Sequence, residues 1–272
     1  MRKILTLALA LSITSPCWAI QNIKLGGLNI DPFVSTEMKY DSNIYLTKSN
    51  VKSAWINDSS LGLRLNQKLT TRLDLEAGYA LDLITYSVNQ SNNNAVHHTA
   101  DLSLASTLAD NMTARLGDQF LATTDQASSE LTARAKRVEN TAAFNFVAPI
   151  KGSLGFKINT SDDFNEYLEA AYSNLNRNRW NAGADITYQL MPKTQLQAGY
   201  TFAQVKYKDN TRNNSNIHKV DGGLTGQVAP KVTGEIIAGV QFRDYSNNSN
   251  TASNKATTFS YGITLAWTPG VN

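Results

Sequence analysis

LNQKLTTRLDLEAGYAL, from Leu65 to Leu81, alternates apolar and polar residues, breaks once at a short turn, and resumes the alternation. Two later stretches repeat the phrase: YQLMPKTQLQAGYTF (Tyr188–Phe202) and GQVAPKVTGEIIAGVQF (Gly226–Phe242). After the first turn Leu73, Leu75, Ala77, Tyr79, Leu81 and Leu83 fall on one face, and Asp74, Glu76, Gly78, Ala80 and Asp82 on the other. After the second, Leu196, Ala198, Tyr200 and Phe202 oppose Gln195, Gln197, Gly199 and Thr201. A period of two predicts β-strands with one apolar and one polar face.

Alternation alone also fits a soluble sandwich. The connections argue for something else. Tight turns are predicted near Thr70, Asp110, Pro149, Pro192, Pro230 and Pro269, spaced about 40 residues apart. Between them lie long Asn- and Ser-rich links such as NQSNNNAVH, DNTRNNSNI and NNSNTASNK. One end of the sheet therefore carries short turns and the other long polar loops. A repeat of this length also raises a β-propeller, but no Gly-His or Trp-Asp blade signature is present. The fold class predicted is all-β: an antiparallel transmembrane β-barrel of the outer-membrane type with about twelve strands, from Ile30–Tyr40 to Thr258–Trp267. Its apolar residues face lipid and its polar residues face the lumen. The strands are long enough to project beyond the membrane on the loop side. Tyr79 and Tyr200 are expected in the outer aromatic girdle, and Tyr188 and Trp267 in the inner one.

The first residues read differently. Arg2 and Lys3 precede an apolar run, Ile4–Ile13, and then SPCWA. The run is too short for a spanning helix and suits a cleavable secretory signal ending at Ala19. Pro16 directly before Cys17 disfavours lipid attachment there. The domain reading is 1–19 signal peptide, 20–29 N-terminal periplasmic segment and 30–272 barrel. The formal charge of +3 falls close to neutral once Arg2 and Lys3 leave, which gives no argument for a nucleic-acid partner. The single cysteine leaves with the leader. The chain ends at Asn272 after TPGVN, not on an aromatic residue. Either the barrel closes with an unusual tail or further hairpins belong to it.

DPFVSTEMKYDSNIYLT (Asp31–Thr47) resembles the opening of the β-barrel porin-2 family, through Pro32, Phe33, Tyr40, Asp41, Asn43, Ile44 and Tyr45. NRNRWNAGADITYQLMPKTQLQAGYTFAQVKYKD and HKVDGGLTGQVAPKVTGEIIAGVQFRDY resemble its mid-barrel repeats. Members accompany exopolysaccharide biosynthesis and export genes, as outer-membrane proteins of the EpsL type. The resemblance implies an outer-membrane barrel serving polymer export, with lipid, a polysaccharide and export-machinery proteins as partners.

No catalytic residue, metal site or cofactor is expected. The three histidines, His97, His98 and His218, stand where long loops enter strands and read as rim residues in water. A Ser-His pair with Ser103 or Ser106 would need proximity that sequence does not supply. SDDF (Ser161–Phe164) lacks the ligand spacing of a calcium loop and reads as the start of a polar loop. By parity the lumen carries Arg64, Asp74, Glu76, Asp82, Asp101, Arg115, Lys157, Asp185, Lys219, Asp221, Glu235 and Arg243. Neither sign dominates, so weak ion selectivity follows. Tyr86, Tyr207 and Tyr245 share lumen parity about 15 residues past their turns and form a candidate sugar-stacking ring at the extracellular mouth. The function expected is a porin-like channel assisting exopolysaccharide export. A scaffold with a closed lumen and a barrel enzyme acting on lipid or polymer are the alternatives.

Overall fold

The computed structural model describes residues 10–14, 18–19, 22–45, 47–108, 112–125, 134–209, 211–229, 231–246 and 254–268. Its strands are β1 (Ala10–Thr14), β2 (Trp18–Ala19), β3 (Ile23–Leu25), β4 (Leu28–Asp41), β5 (Ala54–Thr70), β6 (Leu73–Tyr86), β7 (Ala95–Thr107) and β8 (Thr113–Thr123). They continue as β9 (Arg137–Lys151), β10 (Leu154–Tyr167), β11 (Arg177–Met191), β12 (Thr194–Tyr207), β13 (Ser215–Ala229), β14 (Val232–Tyr245) and β15 (Lys255–Trp267). One helical turn, α1 (Gln90–Asn93), and a 3-10 turn at Ala170–Leu175 interrupt two of the long links. β4–β15 are the twelve strands expected from the alternation.

The chain groups into two compact units. The first holds Met1–Ser103, Gln119–Asn140 and Glu166–Ser173; the second holds Leu104–Asp118, Thr141–Asn165 and Asn174–Asn272. In the first, β4, β5 and β6 pair antiparallel in chain order. In the second, β10 to β15 do the same.

The three repeated phrases share one device. Each ladder shifts register just before its turn, between Lys68 and Thr70, Gln189 and Met191, and Gln227 and Ala229. The extra residue is Leu69, Leu190 or Val228, an exposed apolar side chain each time. A bulge beside a tight turn increases local twist and re-aims the strand. At the third turn Lys231 takes the left-handed conformation, with φ of 67°. The repeated wording therefore encodes a bulge as well as a turn, which alternation does not reveal.

Two expected boundaries move. The turn foreseen at Pro149 lies at Gly152–Ser153, because Gly152 adopts φ of 61° while Pro149 stays inside β9. Glycine takes that φ without steric cost. Similarly, β4 begins at Leu28, not Ile30, and Gly26–Gly27 fold β3 back on it as a hairpin. Part of the 20–29 segment is thus strand. The turns foreseen at Asp110, Pro230 and Pro269, the Cys17 position and the tail at Asn272 lie outside the described residues.

The apolar rows remain open to the surroundings. Leu61 is 56% exposed, Ile186 57% and Tyr261 89%. Leu63, Leu83, Leu196, Val220, Ile236 and Phe242 are also exposed. Contiguous apolar surface on this scale is not a water-facing surface. It matches the lipid-facing band of an outer-membrane sheet.

Candidate channel lining and loop-end mouth

The polar residues between those rows line up across strands. In the second unit Lys157, Asp185, Gly199, Asp221, Gly239 and Ser260 are successive ladder partners. The next row toward the loops runs Asn159, Gly183, Thr201, Lys219, Gln241 and Thr258. Lys219 Nζ meets Asp221 Oδ2 at 2.8 Å. One row higher, Arg179 Nε donates to Asn181 Oδ1 at 2.9 Å. The Asn181 amide donates to Ser161 Oγ at 2.9 Å and to Asp163 Oδ2 at 3.0 Å. Thr141 donates its hydroxyl to Asp163 Oδ1 at 3.1 Å. Ser161 and Asp163 are therefore strand residues in a polar wall, not the start of a loop; β10 runs on to Tyr167.

The other foreseen lining residues follow the same face. Asp74 pairs in register with Lys68, Glu76 with Asn66 and Asp82 with Ser60. The Arg64 guanidinium lies 5.1 Å from the Phe33 ring centre. Glu235 stands between Thr225 and Thr264. Arg115 is exposed on β8. Arg243 sits 5.8 Å from the Tyr245 ring. Parity missed Phe33, which is apolar yet shares the polar face, Asp163, which fell within the segment read as a loop start, and Arg179, which precedes the strand as read from Trp180 but lies within β11.

A second feature recurs with the phrase. Tyr79 shares a hydrogen bond with His98 Nδ1 at 2.8 Å, and Tyr200 with His218 Nδ1 at 2.7 Å. On the opposite face a Cβ on Gly78 would collide with the Asp101 carboxylate, and one on Gly199 with that of Asp185 and, less closely, Asp221. Both units thus pair Gly-Tyr on one strand with His-x-x-Asp on the next. Gly leaves room for the inner carboxylate, and Tyr holds the outer histidine. Tyr79, Tyr200, Tyr188 and Trp267 are all exposed on the apolar side; Tyr79, level with Leu63 and midway between Leu75 and Leu83, lies within the apolar face and not at the outer girdle foreseen for it. Trp180 joins them, edge-on to Phe202 at 5.9 Å.

His98 and His218 are consequently partners of tyrosine on the outer face. His97 departs further from a rim residue in water. It is 4% exposed. Its Nε2 accepts from the Thr124 backbone N–H at 3.0 Å and lies 2.9 Å from the Thr124 hydroxyl, with Thr123 beside it. Its partners are these threonines and the Asp125 carboxylate, 3.8 Å from Nδ1, not Ser103 or Ser106.

Toward the loops the chemistry of the faces inverts while register stays unbroken. Polar residues enter the outward positions, with Thr36, Asn57 and Ser59 bonded to one another and Gln204 to Asn216, although Trp55 stays exposed there and packs against Tyr40. Inward positions become apolar. Ile44, Ala54, Ile84 and Tyr86 cluster in the first unit; Ala203, Val205 and Ile217 cluster in the second, with Tyr207 packed against them. Strands that leave a membrane re-enter water outside and must bury apolar side chains inside. From Leu75 to Leu83 the apolar face spans roughly 26 Å of strand, about 20 Å of height at the usual tilt and so most of the apolar band of an outer membrane.

This inversion changes the tyrosine ring. Tyr86 is 7% exposed, and the Arg134 guanidinium covers it at 4.5 Å from the ring centre. Its faces are occupied, so it offers no platform to a sugar. Tyr207 is half-buried, partnered in register by Arg177, with Arg212 at 5.8 Å. Tyr245 pairs with Ser215, one row below Tyr207. Only Tyr207 and Tyr245 keep partly open rings.

A family model described as "Putative beta-barrel porin 2" matches residues 16–271. The chain belongs to that family. The porin-2 assignment accounts for the two faces, lipid outside and a polar interior, and for the outer membrane as the location. Among solved structures, an outer-membrane channel of Pseudomonas putida F1 is similar at 14% identity with a TM-score of 0.42, covering 90% of this chain and 95% of that one. OmpT, an outer-membrane protein of Vibrio cholerae, is similar at 11% identity with a TM-score of 0.48, covering 95% of each chain. No curated protein matches the chain.

Proposed function

We propose that this porin-2 protein is a channel that assists passage of an exopolysaccharide across the outer membrane. The observation that carries the reading is the inner row Asn159, Gly183, Thr201, Lys219, Gln241 and Thr258, with Ser161 and Asn181 above it. Amides and hydroxyls spaced two residues apart present donors and acceptors along the wall, the groups that exchange hydrogen bonds with sugar hydroxyls. The charges among them are mixed in sign, and Lys219 and Asp221 neutralise each other. In planar bilayers the purified protein is expected to conduct, with cation-to-anion permeability near unity. In a deletion strain, secreted polymer should fall while the envelope stays intact.

The apolar loop-end clusters favour a second reading, a scaffold whose lumen is closed. Bilayer silence together with normal export in cells producing an inner-face variant such as Thr201→Trp would establish the scaffold and remove the channel.

The leader belongs to the same proposal. β1 and β2 hydrogen-bond along β4, from Thr14 opposite Glu37 to Ala19 opposite Phe33. A leader there blocks that edge of β4 from any other strand. Cleavage after Ala19 would free it from Asp31 onward, β3 keeping its pairing at Leu28–Ile30. Intact-mass measurement of outer-membrane protein should give a chain starting at Ile20; an uncleaved chain in the membrane would contradict this.

A further inference from the structure

The strongest unassigned feature is a cavity of about 530 Å³ at the loop end of the first unit, a size suited to a small ligand. Tyr45, Asn89, Asn92, Asn94, Arg134 and Glu169 line it. They come from three links, β4–β5, β6–β7 and β8–β9, and from the residues after β10.

Its polar groups are arranged and only partly used. The Tyr45 hydroxyl is held by the Asn93 amide at 2.9 Å and by Asn89 Nδ2 at 3.3 Å. These bonds, Asn89 first, hold the phenol below its ordinary pKa. The Tyr45 ring remains partly open. Asn94 spends its Oδ1 on the Tyr86 backbone N–H at 2.8 Å, which leaves its Nδ2 to donate. Arg134 donates through Nη2 to Thr124 Oγ1 at 3.1 Å and the Asn93 carbonyl at 3.4 Å, donates through Nε to the Thr124 carbonyl at 3.4 Å, and packs on Tyr86. Its Nη1 is buried without an acceptor. A guanidinium N–H left so is costly, and an incoming oxygen would satisfy it. Lys136 adds a second positive charge to the lining. Glu169 is the lining carboxylate, and its Oε1 accepts from the Lys136 backbone N–H at 2.9 Å.

We infer that this cavity binds an acidic saccharide unit, with Arg134 taking its carboxylate, the asparagine amides its hydroxyls and the Tyr45 ring its apolar face. The unspent Nη1 of Arg134 can give a carboxylate oxygen one charge-assisted bond. Amides both donate and accept, as vicinal hydroxyls require. Aromatic faces pack on flat apolar partners. The biological meaning rests on the export reading, since the site stands at the mouth where a polymer would leave; the binding itself does not.

The test is calorimetric titration of the detergent-solubilised full-length protein with trigalacturonate, and with maltotriose as the neutral probe of equal length. The acidic trisaccharide should bind at least about tenfold more tightly than the neutral one, as a charge-assisted contact implies. Arg134→Gln should lose about tenfold or more in affinity for it. Glu169→Gln keeps the acceptor for Lys136 but removes the like charge, and should gain about threefold. If Arg134→Gln does not fold, Asn92→Asp on the exposed α1 turn places a repelling charge at the cavity and should weaken binding about threefold. Equal affinity for both probes, no binding, or indifference to these substitutions would overturn the inference. Sugar binding by a non-conducting protein would refute the channel and keep the cavity, and conduction without binding would do the reverse.

Discussion

Gly62→Val is expected to destabilise the protein by about 2–3 kcal/mol, the scale of overpacking in a filled site. Gly62 lies beneath the Phe33 ring, and a Cβ there would collide with that ring and approach the Tyr79 carbonyl oxygen to 2.8 Å. The ring cannot simply swing away, because the Arg64 guanidinium lies 5.1 Å from its centre on the same face. Phe33, Gly62 and Arg64 thus form one packed unit on adjacent strands, with Phe33 opposite Gly62 in the ladder. Urea unfolding in lipid vesicles, followed by the gel-mobility change on folding, reads the loss. In a Phe33→Ala background the same valine should cost at least about 1 kcal/mol less, as expected for residues in contact. Additive costs would show that the ring and the glycine are not coupled.

The second large effect concerns the apolar rows. Leu63 lies opposite Tyr79, midway along the exposed face between Leu75 and Leu83. Leu63→Arg should cost about 2–4 kcal/mol in folding from urea into vesicles, the penalty for a cation at the bilayer midplane. Ser60→Arg, on the polar face opposite Asp82, should stay within about 1 kcal/mol of the parent. The contrast matters more than either value. A soluble sandwich with its core on the Leu63 face would also reject the first change. It would not, however, leave Leu61 and Ile186 more than half exposed.

The sequence made the ladder legible because a period of two survives without any knowledge of neighbours. Leu73 to Leu83 and Leu196 to Phe202 needed only their own spacing to be assigned a face. What failed was whatever depends on a partner far along the chain. His97 looked solvated beside a loop, but Thr123 and Thr124 approach it from β8 and enclose it. Tyr86 looked available at the mouth; Arg134, from the β8–β9 link, covers it. The loop-end inversion is of the same kind. Parity continues unbroken through Val205 and Ser215, so nothing in the alternation marks where lipid gives way to water. The turn foreseen at Pro149 failed for a local reason. Proline can mark a turn, but a left-handed residue was needed, and Gly152 supplied it.

The twice-used pairing of Gly-Tyr with His-x-x-Asp explains most of the repeated wording. Each such strand pair must place a tyrosine outward against a histidine and leave space inward for a carboxylate. The bulges at Leu69, Leu190 and Val228 explain the rest, since each inserts an exposed apolar residue just before its turn.

The central claim is that lipid touches alternate side chains of β6 up to Leu83 and none beyond it. Single spin labels at each position from Asp74 to Tyr86, in protein reconstituted into vesicles, measure this through collisional access of oxygen and of a water-soluble nickel chelate. The account predicts a period-two oscillation, oxygen-rich at Leu75, Ala77, Tyr79, Leu81 and Leu83, with access to the aqueous probe at Thr85 and little access to either at Tyr86. Uniform access along the strand, or oxygen maxima at Glu76 and Asp82, would contradict it.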